Sequence, residues 1–487
     1  MGIIQRQGLK KSLVQYVGVL IGAFSTFFIF PLAVPQYGLL RFLLATATLI
    51  LPLVNLGTNT GILRFFPEFR DPEKGHQGFL SLLFLVIGFG FVWVCLLAWI
   101  GKPWIMQYYA DRDPLLRQNL VYVLPLSFLI ALTYMLTIYT SNFLRVVVPT
   151  VLHELVLKLS IPGLILLYVY GLADERQLVY GLLLVYLFIV LSLSFYLYRL
   201  DPPSFSRPRF DFLHAERLKR IANYSLFGFL GSIGSLLAFQ IDTFMVGSLS
   251  GMYATGIYSL ALFIAGTIDI PMRSLQSITA PIVADAWQRR DLDKIAGLYR
   301  KTSLILLVAG CGLLALIWIN LEDLAEFLPK GKVFREGRYV ILLLGVAKIS
   351  DLATSINNPI INFSRYYRFN LYAVLFLGLS NVLLNLWLIP RYQIVGAALA
   401  SACSLFAFNA LKAGFIYYRF EMQPFTAASL RVLFFALAGL GFVYALPELA
   451  APLPNMLFRS ACFALIFVVG LWPILRPELE QWLRPRA

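Results

Sequence analysis

Hydropathy divides the chain into apolar runs of about 20 residues, the length needed to cross a bilayer, separated by short polar breaks. About fourteen runs fit that length, near 12–34, 37–60, 79–100, 119–141, 150–171, 178–198, 221–241, 254–280, 302–320, 339–361, 370–389, 393–417, 430–447 and 458–475. No break is long enough to hold a separate soluble domain. The pattern predicts an all-α polytopic membrane protein. The first run follows Arg6, Lys10 and Lys11. It is longer than a signal-peptide core and lacks a small-x-small cleavage site, so it reads as a retained span.

The breaks also suggest how the spans are grouped. RLDPPSFSRPRFDFLHAERLKR, residues 199–220, follows the sixth run and is rich in proline and basic residues. The stretches on its two sides echo one another. VPQYG opens the second run and RFFPEF comes later; GMYATGIY opens the eighth and APIVADAW comes later. This predicts a six-helix lobe over 1–199, a linker over 200–220, a second six-helix lobe over 221–418, and two further helices with a tail over 419–487. Lobes entered from the same side are parallel repeats, related by a pseudo-two-fold axis along the membrane normal.

Composition supports the membrane class. Hydrophobic residues make up 59% of the 487 and charged residues 13%, and the mean hydropathy is +0.77. The net charge of +15 raises nucleic acid as a partner, but the basic residues sit in short loops between spans, the pattern of topology-setting charge. Their bias places both termini in the cytoplasm. Trp93, Trp99, Trp104, Tyr108 and Tyr109 surround one expected outer interface. Cys95, Cys311, Cys403 and Cys462 lie in apolar runs without CxxC spacing, and His76, His153 and His214 show no ligand spacing. Neither a metal nor another cofactor is expected.

GKPW and GKVF lack the remaining residues of a phosphate-binding loop, and nucleophile elbows are absent. The reading is therefore of a non-enzyme, and the remaining candidates are charges inside spans. Glu154 and Lys158 are four apart, Asp269 and Arg273 are four apart across Pro271, and Lys348 and Asp351 are three apart. Such spacings share a helix face, so each pair can neutralise itself and lower the cost of burying charge in lipid. Helix packing or snorkelling accounts for any one pair. Arg41 has no partner on its own run and lies within about a turn of the outer interface, which favours snorkelling, and Asp242 sits near the end of the seventh run, where a helix-boundary role accounts for it equally well. Three pairs together suit a lumen that passes a large polar anion.

Three motifs carry a family resemblance. IDTFMVGSLSGMYATGIYSLA (241–261), ITAPIVADAWQRRDLDKIAGLYRKTS (278–303) and NVLLNLWLIPRYQIVGAALASACS (381–404) resemble segments of the bacterial polysaccharide flippases, in the superfamily of multidrug, oligosaccharidyl-lipid and polysaccharide exporters. Two positions depart from the pattern: Gln393 stands where a glycine is usual, and Thr243 where a basic residue is common. The resemblance implies two six-helix lobes around a cationic cavity. It also implies transfer of undecaprenyl-diphosphate-linked oligosaccharide, such as an O-antigen unit of lipopolysaccharide, to the outer leaflet of the inner membrane. Arg273, Lys158, Lys348 and Arg41 are then the expected diphosphate contacts, with Asp269, Glu154, Asp351 and Asp242 supporting them and Asn357 and Asn358 facing sugars. Expected partners are the lipid-linked substrate, membrane lipid, a coupling proton or sodium ion, and other polysaccharide-assembly proteins. A drug or cation antiporter of the same architecture is the alternative, and a membrane glycan polymerase or ligase is the alternative from another class.

Overall fold

The computed structural model describes residues 3–110 and 113–483. Among these residues there is helix and no strand. In chain order the helices are α1 (Ile3–Phe24), α2 (Val34–Asn55), α3 (Thr58–Phe69), α4 (Phe79–Tyr108), α5 (Pro114–Asn119), α6 (Val123–Ser141), α7 (Val147–Val151), α8 (Leu157–Val169), α9 (Glu175–Leu200) and α10 (Ala215–Phe239). They continue as α11 (Ile241–Gly266), α12 (Ile270–Gln288), α13 (Leu292–Phe327), α14 (Lys332–Glu336), α15 (Arg338–Thr354), α16 (Asn357–Asn362), α17 (Arg368–Phe420), α18 (Ala427–Ala445) and α19 (Pro452–Leu483).

Twelve helical stretches among the described residues are long and apolar enough to cross a membrane, so the chain is a multi-pass membrane protein. The sequence pattern suggests more because two of its runs, 370–389 and 393–417, are joined in α17 and separated only by a kink at Gln393. A third, 339–361, is interrupted after α15 by Ser355.

The chain forms two compact units, Met1–Gly256 and Ile257–Ala487. In the first, α2 packs on α4 and α6, and α6 packs on α9. The stretch 241–256 of α11 is locked against the start of α2. A Cβ on Gly38 would lie 1.9 Å from the Met252 carbonyl oxygen, and one on Gly256 would lie 2.4 Å from that of Val34. Only glycine permits so close a backbone approach. The two echoing motifs, VPQYG and GMYATGIY, are thus in reciprocal contact. The loop after α4 buttresses the same place. Tyr109 Oη lies 2.7 Å from Ser248 Oγ, and Asp113 accepts the Met252 N–H at 2.9 Å, next to the kink at Gly251. Tyr109 is therefore buried, whereas Trp93, Trp99, Trp104 and Tyr108 project outward from α4.

The linker begins as a docked strap. His76 Nε2 lies 2.9 Å from Asp201 Oδ2, the Gln77 carbonyl accepts the Arg209 N–H at 3.1 Å, and Tyr139 donates to Ser204. His76 accordingly serves a structural contact. In the second unit α13 is central, touching α12, α15, α18 and α19. One core joins Leu307, Cys311 and Ala315 to Val432 and Phe463, and another joins Val283, Tyr299, Ile360 and Ile416.

Candidate functional site

The intramembrane charges gather in each unit separately. In the first, Lys158 Nζ lies 2.6 Å from Glu154 Oε2, with both side chains about a quarter to a third exposed. This is the pair that the spacing predicts. Glu154 stands on a π-helical turn, Leu152–Val156, that leads into α8. Inserted turns of this kind re-aim side chains and are common at functional sites. α1 crosses the pair at Gly18, where a Cβ would lie 3.2 Å from Glu154 Oε2. His153 presents its ring edge-on to Tyr134 at 5.9 Å.

Arg41, on α2, is half-buried, and Tyr37 and Tyr186 lie within its electrostatic reach. Its Nε is buried without a hydrogen-bond partner among the described residues. Asp242 is buried at the start of α11.

In the second unit the pairing differs from the spacing argument. Asp269 Oδ2 lies 2.7 Å from Lys348 Nζ, and Arg273 is not its partner. The i,i+4 rule assumes a continuous α-helix. Asp269 instead ends a 3₁₀ turn, Thr267–Asp269, and Pro271 occupies the start of α12. Its carboxylate therefore meets α15. Arg273 is exposed and has no ion pair or hydrogen bond among the described residues. Lys348 is taken by Asp269 and so does not close on Asp351 as expected. Asp351 lies within electrostatic reach of Lys348, Asp269 and Lys412.

Lys412 is the residue that sequence reasoning missed. It lies inside the run 393–417 but is not one of the candidate cations Arg41, Lys158, Arg273 and Lys348. Its side chain is 1% exposed. It donates to Asn358 Oδ1, and its ammonium sits 4.6 Å from the Phe408 ring centre. The available signal was a lone lysine in an otherwise apolar stretch, three residues after Asn409. Asn357 Oδ1 accepts from the Tyr299 hydroxyl, and its Nδ2 is buried without a partner among the described residues. Asn358 is exposed.

Beside this cluster lies a cavity of about 880 Å³, lined by α13, α15, α17 and α18. Leu307, Val346, Phe406 and Leu433 contribute its apolar wall, while Ser350, Thr354 and Asn409 form a polar margin. Asn409 donates to Ser350 Oγ at 3.1 Å. Asn409 also interacts with Asp351, which links the margin to the charged cluster. The arrangement links a cluster holding one buried and one partly buried cation, Lys412 and Lys348, to a space suited to hydrocarbon. No group of His, Cys, Asp and Glu among the described residues is placed to hold a metal ion.

Comparison with known proteins identifies the fold. A family model described as "Polysaccharide biosynthesis protein" matches residues 10–287, and the MatE model matches 229–387. No curated protein matches the sequence. A structure of the lipid II flippase MurJ, inward closed, superposes with a TM-score of 0.74 at 13% identity, over 96% of this chain and 99% of that one. An inward-facing multidrug resistance MATE transporter of the MOP superfamily gives a TM-score of 0.62 at 14% identity, covering 84% of this chain and 94% of that one. The fold is that of the MOP transporters, and the family model spans more than half of the sequence. The chain belongs to the polysaccharide biosynthesis protein family.

Proposed function

We propose that the chain is a flippase that moves undecaprenyl-diphosphate-linked oligosaccharide from the cytoplasmic to the outer leaflet of a bacterial inner membrane. It works by alternating access between six-helix lobes at 1–199 and 221–418, and both termini are cytoplasmic. The observation that carries this reading is the apolar cavity beside α18, whose lining residue Asn409 also interacts with Asp351 of the charged cluster. A lipid diphosphate needs both halves of such a site. Its hydrocarbon gains from apolar surroundings, and its phosphates require charge-assisted donors to leave water. Lys348 and Lys412 stand in one unit with Arg273, and Lys158 and Arg41 stand in the other. Asp269 and Glu154 hold two of these cations in position. Asn358 remains the better candidate to meet a sugar, since it is exposed while Asn357 is buried. A proton or sodium gradient is the proposed energy source, and an O-antigen unit the proposed glycan class. The family membership and the fold shared with a lipid II flippase support the same direction.

Deleting the gene and analysing lipid-linked glycans by leaflet tests the proposal. The expected result is accumulation of one lipid-linked oligosaccharide in the cytoplasmic leaflet, relieved by the intact gene. Accumulation in the outer leaflet would point to a polymerase or ligase step and overturn the proposal. The MatE match favours a second reading, drug or cation antiport. Unchanged glycan together with increased sensitivity to cationic drugs would select it.

A further inference from the structure

The second unit carries a cationic and aromatic patch where the two ends of α17 meet. α16 and α17 are joined by a turn over 363–367, and α17 returns at Phe420 to the same place. The turn is well fixed: Ser364 Oγ donates to the Ile361 carbonyl at 2.8 Å and accepts the Tyr366 N–H at 3.0 Å. Phe369 and Phe415 stack at 3.8 Å between ring centres, closing the two ends of α17 together. Tyr366 packs edge-on against Phe415 at 5.7 Å.

Two guanidiniums converge on this ring. Arg365 lies 4.8 Å from the Tyr366 centre and Arg419 lies 5.1 Å from it. Both arginines are exposed, and neither has an ion pair among the described residues. Two like charges held near one ring repel each other, and a shared anion relieves that repulsion. Arginine forks match phosphate oxygens in geometry. Around them, Tyr367 is 54% exposed and Tyr418 79%. Exposed tyrosines beside helix ends mark the headgroup level of a bilayer. The available anion at that level is a lipid phosphate.

We propose that Arg365, Arg419 and Tyr366 form a binding site for the phosphate of an anionic phospholipid, separate from the charges assigned to cargo. The inference rests on membrane insertion alone and holds whatever the protein transports. Native mass spectrometry of the delipidated full chain with added phosphatidylglycerol or phosphatidylcholine tests it. The wild type is expected to retain phosphatidylglycerol in preference to phosphatidylcholine, and less of it as salt is raised. At the usual contribution of a surface arginine to anionic-lipid binding, Arg365→Gln or Arg419→Gln should weaken retention about fivefold, and the double variant about thirtyfold. Tyr366→Leu keeps an apolar side chain against Phe415 but removes the ring that gathers the arginines, and should also lower retention. Equal retention of the two lipids by the wild type, or unchanged retention in the double variant, would overturn the proposal. Displacement of phosphatidylglycerol by an equal concentration of undecaprenyl diphosphate would also overturn it, because the patch would then be a cargo port.

Discussion

At the residue scale, the decisive pair is Asp269 and Lys348, whose side chains are 14% and 16% exposed. Removing one partner of a fully buried pair leaves an uncompensated charge and costs about 3–5 kcal/mol; this partly buried pair is expected to cost less. Lys348→Gln alone should therefore lower the amount of protein in the membrane, and adding Asp269→Asn should restore it. The flippase reading expects the restored protein still to fail in export, measured as surface glycan per membrane-localised protein; full recovery would leave the pair with a packing role alone. Arg273→Gln should leave the protein level unchanged, since Arg273 has no partner among the described residues, yet reduce export. Spacing found Glu154 with Lys158 because those residues remain one turn apart on connected helix. It gave the wrong partner for Asp269 because a 3₁₀ turn and a proline break the helix there. Lys412 escaped because no acidic residue stands three or four positions from it on its own run, so pair spacing does not mark it. Its burial depends on Phe408 and Asn358, and the latter contact joins α17 to α16, beyond the reach of local pattern.

At the element scale, apolar length located nearly every crossing helix, whereas the kinks depend on single backbone positions. Gln393 breaks α17 with φ 50 and ψ −128, a conformation that glycine tolerates and a side chain does not. This is the position where the family pattern usually has glycine. Gln393→Gly should stabilise the protein by about 1 kcal/mol, the low end of the strain held in such conformations, and raise the thermal midpoint in detergent. A lower midpoint would show that the Gln393 side chain contributes more than its backbone strain costs. The α2–α11 crossing predicts the opposite sign. The Met252 carbonyl meets Gly38 as backbone, which cannot rotate away, so Gly38→Ala should destabilise by about 1–3 kcal/mol. Gly88 on α4 is a control, because a Cβ there meets nothing within 4 Å. Gly88→Ala should be neutral or slightly stabilising. The echo between VPQYG and GMYATGIY was legible as repetition, but the mutual contact of the two motifs was not, since periodicity within a sequence says nothing about which copies touch.

At the scale of the whole molecule, the remaining question is which side of the membrane each loop faces. Hydropathy is symmetric about the bilayer and cannot answer it; the distribution of lysine and arginine can, because cytoplasmic loops retain positive charge. Breaks such as 199–220 and 281–301 are rich in arginine and lysine, and the first of them is strapped to the turn containing His76. Those two contacting segments must share a side, and the proposed orientation has both in the cytoplasm. The breaks near 102–116 and 322–338 then face outward. In a background lacking Cys95, Cys311, Cys403 and Cys462, Lys102→Cys and Lys332→Cys should react with an impermeant thiol reagent added to intact cells. Arg209→Cys and Arg300→Cys should react only after the membrane is opened; all four native side chains are exposed, so protection reflects the bilayer rather than burial in the fold. Labelling of Arg209→Cys in intact cells would reverse the orientation. It would also place the strap outside and reverse the proposed direction in which the cavity beside α18 receives its lipid.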